Sequence, residues 1–308
     1  MIFADNKSLL ENLYLLSGPI IAILGFIIFI QIKLSKKSIK IAEKQLEDQR
    51  ISFHKERLES NFYELLKFHR DNVNNMKIGQ VNGSEVFKII FDKFIKIYEI
   101  VNSIFMKINN ENDIYEINYI EELKLNNTLK KREIDLIEYA KVDISYLILF
   151  FGETIDGFKA IEHFLSNRYK PEIFNKIKYF IADTNISIEP QKGYEFQLGH
   201  YYRHLFHIVF YIHKDSKLNK DEKYQYIRVL RGQLSTYEQY ALFLNSLSFL
   251  ARIWELEDKK NPSIEIEQKD QLITKYDLIR NLPANKIVGN LKCSDFYPNV
   301  NYEVFRVE

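Results

Sequence analysis

The stretch Gly199-His200-Tyr201-Tyr202-Arg203-His204-Leu205-Phe206-His207 reads as the middle of a helix over Tyr194–His213. Spacings of three, four and seven put His200, Arg203, His204 and His207 along one side of that helix. Tyr201, Leu205, Phe206 and Ile208 flank them, so the basic groups border apolar surroundings. A polar turn around Lys214–Asn219 leads into a second predicted helix, Lys220–Glu257. On it Arg231, Leu234, Ser235, Glu238, Leu242 and Asn245 share a stripe, with Gln233 beside it. If the two helices form an antiparallel hairpin, Arg203 lies level with Arg231 and His200 level with Leu234. Glu238 then falls within about one turn. The pattern therefore predicts a cluster of His200, Arg203, His204, Arg231 and Glu238.

Arginines and histidines in excess of one glutamate make a donor set suited to phosphate or carboxylate. As an enzyme, His200, His204 or His207 would serve as general acid or base, with Arg203 stabilising developing charge. As a binding site, Arg203, Arg231, Gln233, Glu238, Asn245 and His69 are the candidate ligand contacts. Against both stands a structural role, since buried Arg–Glu and histidine networks also fix the register of packed helices. His200 and His204 have the spacing of paired zinc ligands, but His-Tyr-Tyr-Arg-His lacks the glutamate of His-Glu-x-x-His, and Arg203 opposes a cation. No metal site is expected. With no glycine-rich phosphate loop, no cofactor is expected either.

Outward from this region the chain reads as all-α. Toward the N-terminus, helices are predicted at Leu129–Phe151, Ile155–Asn167 and Pro171–Ala182, with a loop over Thr184–Gly193. Before them, Val86–Ile108 and Tyr115–Leu125 have helical period, and Gly79 and Gly83 mark a break. Leu58, Phe62, Leu65, Leu66 and His69 form one broad helical face. After Pro262 the signal weakens: Lys269–Asn281 is compatible with a helix, and Tyr302–Val307 alternates like a short strand or is a tail.

The N-terminal end is different. Asn12–Ile32 is 21 residues without a charge, and its apolar heart, Leu13–Ile30, matches a hydrocarbon core of roughly 30 Å. Asp5 and Glu11 ahead of it do not fit a cleaved signal peptide, so a retained anchor is expected. Lys33, Lys36, Lys37, Lys40 and Lys44 follow the span, against Lys7 before it. The positive-inside rule then puts the N-terminus outside and the bulk of the chain in the cytoplasm. Ile32, Ile39, Leu46 and Phe53 recur every seven residues in a stalk with neither Gly nor Pro, one seam of a heptad. The organisation read from sequence is thus a spanning segment at 1–33, a helical stalk at 34–57, a cytoplasmic helical-bundle domain at 58–257 and an extension at 258–308.

Composition sets bounds. Lys plus Arg number 43 and Asp plus Glu 42, a net charge of +1, which excludes a wholesale polyanion binder and general DNA binding. A single cysteine excludes an intramolecular disulfide framework.

Gly199-His-Tyr-Tyr-Arg-His-Leu-Phe-His207, then Glu222-Lys-Tyr224, Leu230-Arg-Gly-Gln-Leu-Ser235, Tyr237-Glu238 and Asn245, together resemble the phage abortive infection proteins, the AbiC-like family. Asn61-Phe-Tyr-Glu-Leu-Leu66 with His69 is similar to that family's amino-terminal signature. Gly232 stands where the family pattern usually has alanine, which reads as a glycine inside a helix. The resemblance implies bacterial anti-phage defence, in which infection triggers arrest or death of the host cell, and the span with its lysines places the chain in the inner membrane. Its expected partners are the lipid bilayer, further copies of itself through stalk or helical domain, and a phage-derived protein or nucleotide as trigger. Two alternatives are a ribonuclease or nucleotide-hydrolysing toxin and a membrane scaffold recruiting another defence protein. Arg203 and His207 are also similar to the Arg-x(4–6)-His signature of the HEPN ribonucleases, but only three residues separate them here.

Overall fold

The computed structural model describes residues 2–183, 192–256 and 270–303. The chain divides into two compact units, Met1–Asn61 and Phe62–Glu308. The first is formed by helix α1 (Ile2–Asn74), whose last turns belong to the second. Helix α1 runs on past Pro19, which removes one ladder hydrogen bond. From Ile20 to Ile32 every large apolar side chain is exposed, Ile21 at 67% and Phe26 at 65%. By length and composition this is the one helix among the described residues able to cross a membrane. The heptad positions Ile32, Ile39, Leu46 and Phe53 are exposed as well.

The second unit is all-α apart from two small ribbons. In the first, β1 (Lys77–Ile78) pairs antiparallel with β2 (Val81–Asn82), Gly79 supplies the positive φ the turn needs, and Gly83 a second one just past β2. Helix α2 (Val86–Phe105) buries Val86, Phe87, Ile90, Phe94, Ile97, Tyr98 and Val101 on one stripe. Helices α3 (Ile117–Leu125) and α4 (Asn127–Lys131) lead to α5 (Leu136–Phe151), which packs against α2 and is buried through most of its length. Helices α6 (Ile155–Leu165) and α7 (Pro171–Asp183) follow, and then α8 (Glu195–Lys214), α9 (Lys220–Arg231) and α10 (Thr236–Leu247). Helix α10 packs on both α2 and α5, and every residue from Glu238 to Leu247 is buried.

Four expectations are corrected. The single helix Lys220–Glu257 is three pieces: α9, α10 and a 3-10 segment at Phe249–Trp254. Ser235 ends the continuity by capping α10 in a reciprocal box with Glu238, so Gly232 closes α9 instead of lying inside a helix. The single helix Leu129–Phe151 is broken because Asp135 accepts from the amide of Ile137 at 2.8 Å and so starts α5. In the region of Lys269–Asn281, the described helix is α11 (Leu272–Lys275), followed by turns; residue 269 lies outside the described residues. Of Tyr302–Val307, expected as a short strand or a tail, Tyr302 is outside any strand and 304–307 lie outside the described residues, as do 184–191 of the expected loop.

Past α11 the chain adds β3 (Lys286–Val288), paired with β4 (Leu291–Lys292), and α12 (Cys293–Phe296). Leu272, Ile273, Leu278, Ile279, Leu282 and Tyr297 have no exposed surface, so this C-terminal part is built into the core of the second unit. The Tyr297 hydroxyl donates to Ser246 at 2.7 Å, and Arg132 pairs with Glu255, which accepts from the Thr274 amide at 2.7 Å.

Candidate functional site

Helix α8 exists because Leu198, Tyr201, Leu205, Ile208, Val209 and Ile212 recur on the face it buries. The opposite flank carries His200, Arg203 and His207, all exposed. That flank forms one wall of a groove of about 740 Å³. Phe206 and Phe210, stacked at 5.7 Å and 13°, stand on the same wall. Trp254 lies behind Phe206 with ring centroids 4.9 Å apart, and Leu250 and Ile253 of the 3-10 segment close the far side.

Asn245, at 3% exposure, reaches the groove from α10. Its amide nitrogen donates to the Tyr146 hydroxyl at 2.9 Å. Its Oδ1 is buried and has no hydrogen-bond partner among the described residues. An unpaired buried acceptor costs roughly 1–3 kcal/mol, and the residue that carries it lines the groove. Arg203 Nη2 lies 3.4 Å from His200 Nδ1. A smaller hollow of about 330 Å³ adjoins, sharing Phe196 and His200 and lined also by Gln197 and Asn72.

The other candidate residues separate from this groove. Helices α9 and α10 are distinct elements, so Glu238 does not continue the helix that ends at Arg231, and neither residue lines the groove. Arg231 is buried and donates to the carbonyls of Tyr276 at 2.9 Å and Asp277 at 3.2 Å. It therefore clamps the end of α9 to the turn after α11. Glu238 accepts from the Ser235 amide at 2.8 Å, completing the cap of α10. Gln233 accepts from Arg70 of α1. His69 is 3% exposed, packs on the Tyr201 ring at 5.0 Å, and neither of its ring nitrogens has a partner among the described residues. Burial first, then the positive charge of His204 and Arg70, hold its pKa down at about 4.

His204 sits between the two regions, partly exposed. Desolvation lowers its pKa, and His207, His200 and Arg203 lower it further, so this side of α8 is a positive field. Burial raises the pKa of Glu238 against the stabilising bonds from Ser235. Among the described residues no group of three or more His, Cys, Asp or Glu could hold a metal ion.

Phe206, Phe210 and Trp254 were not singled out as site residues, because an aromatic at helical spacing usually belongs to a core. The readable signals were the capping boxes Asn219-x-x-Glu222 and Ser235-x-x-Glu238. Ending the long helix at Ser235 separates Glu238 from the helix that carries Arg231.

No curated protein and no solved structure matches the chain. One family model does, over residues 193–287, and its description is "Putative phage abortive infection protein". The matched residues include α8, α9 and α10 and every groove residue except Phe150. Residues 193–287 thus carry the sequence pattern of the phage abortive infection family.

Proposed function

We infer that this chain is a membrane-anchored bacterial anti-phage effector. Its helical domain, cytoplasmic by the lysine asymmetry around the span, senses an infection signal at the α8 groove and causes arrest or death of the infected cell. The observation that carries the reading is the family match over 193–287, which coincides with the groove bearing His200, Arg203, His207 and Asn245. The exposed apolar stretch of α1 supports the anchor, since so much apolar surface is costly in water.

A single spanning helix encloses no pore, so membrane damage requires several copies. The exposed heptad seam Ile32, Ile39, Leu46 and Phe53 supports self-association. Crosslinking in membranes before and after phage challenge tests this. Ladders that grow on infection are expected; monomers alone in both conditions contradict it.

A second reading is an enzyme, and one contact favours it: Arg203 beside His200 at 3.4 Å, with His207 on the same wall, can pair acid–base chemistry with charge stabilisation. Purified full-length protein that cleaves RNA or nucleotides, with the activity abolished in His200→Ala and His207→Ala, would establish that reading in place of the first.

A further inference from the structure

We propose that the α8 groove binds a mononucleotide carrying an amino-substituted base. The inference rests on the groove being the sensing site, and it names the chemistry of the signal. Three features must be satisfied together. The wall is aromatic, with Phe206 and Phe210 partly exposed and stacked on one another, which offers a flat apolar surface to a base. The rim is cationic through Arg203, His200 and His207, which suits a phosphate.

Asn245 Oδ1 supplies the third feature, an unpaired buried acceptor whose amide is fixed by its donation to Tyr146. It calls for an N–H donor and rejects a carbonyl. An exocyclic amine of adenine or cytosine fulfils that demand. Glu195, the acidic residue of the lining, suits ribose hydroxyls and keeps the phosphate at the Arg203 end. A groove of about 740 Å³ is within the usual size for small ligands. The net charge of +1 argues against a nucleic-acid polymer as the occupant.

Trp254, the sole tryptophan, packs against Phe206 and so reports the groove by its own fluorescence. The experiment titrates detergent-solubilised full-length protein with AMP, IMP, adenosine and inorganic phosphate. Expected are a saturable change with AMP, binding about tenfold weaker for IMP, which lacks the amine, and about tenfold weaker for adenosine, which lacks the phosphate. In Arg203→Ala, whose exposed side chain can be removed without threatening the fold, AMP should fall to the level of adenosine. The proposal is overturned by no saturable change with AMP, by equal affinity for AMP and IMP, or by inorganic phosphate alone reproducing the response. If nucleotide binding is lost in Arg203→Ala while cells carrying it still resist phage, the binding site stands and the sensing role falls.

Discussion

His69 is the residue whose environment makes the sharpest demand. A histidine with both ring nitrogens unpaired and buried contributes an unmet polar cost to the folded state. His69→Phe keeps the ring packing on Tyr201 and removes those nitrogens, so it should raise stability by about 1 kcal/mol. The urea midpoint of the solubilised chain reads this directly. The pH dependence has a definite sign. Unfolded, His69 takes a proton near its ordinary value of 6.5, and folded only near 4. Its contribution is therefore complete above pH 6.5 and lost as pH falls toward 4. The midpoint should fall across that window in the native protein and fall less in His69→Phe. Equal slopes would mean that other groups carry the acid sensitivity. At this scale the sequence was informative about His200, Arg203 and His207, which share a helix side by spacing alone. It could not show that Arg231, with the same chemistry, donates to the carbonyls of Tyr276 and Asp277, because that depends on where the turn after α11 meets the end of α9.

Helix ends and close approaches decide how the elements meet. Gly232 closes α9 at φ −62° and ψ −13°, and a Cβ there would lie 3.5 Å from both Arg228 O and Val229 O. Gly232→Ala should therefore stabilise by about 0.4–1 kcal/mol, through loss of freedom in the unfolded chain. Ser235→Ala removes the cap of α10 and should cost about 1 kcal/mol. Gly193 is the opposite case. A Cβ there would lie 2.0 Å from the carbonyl oxygen of Phe150, beside the bridge between Gly152 and Lys192. Gly193→Ala should cost about 1–3 kcal/mol, because backbone atoms must move. Thermal or urea melts of the three variants check all of this, and a destabilised Gly232→Ala would contradict the assignment of the helix end. The helices themselves were legible wherever one apolar stripe persists, as in α2 and α8. Breaks at Asp135 and Ser235 were missed because apolar residues continue on both sides of each cap, and period alone does not register a cap.

For the molecule as a whole, α1 carries a span-length run of exposed apolar side chains, and the second unit a groove within a segment matching an abortive infection family. The span-length apolar run was legible because it is 21 residues without a charge. The groove was not, because it depends on where the 3-10 segment Phe249–Trp254 falls against α8. Placing lysines at Ile23 and Ile27 costs about 2.5–3.5 kcal/mol each at the centre of a bilayer. Ile23→Lys with Ile27→Lys should therefore move the protein out of the carbonate-resistant membrane fraction, and continued retention there would argue against α1 as the anchor. The most direct test of the central claim follows membrane potential after phage challenge, alongside bulk RNA integrity, in cells carrying the native chain or Arg203→Ala. The native chain should collapse the potential before lysis while RNA stays intact, and Arg203→Ala should hold it. A potential that persists in protected cells while RNA is degraded would contradict the account and favour the enzyme.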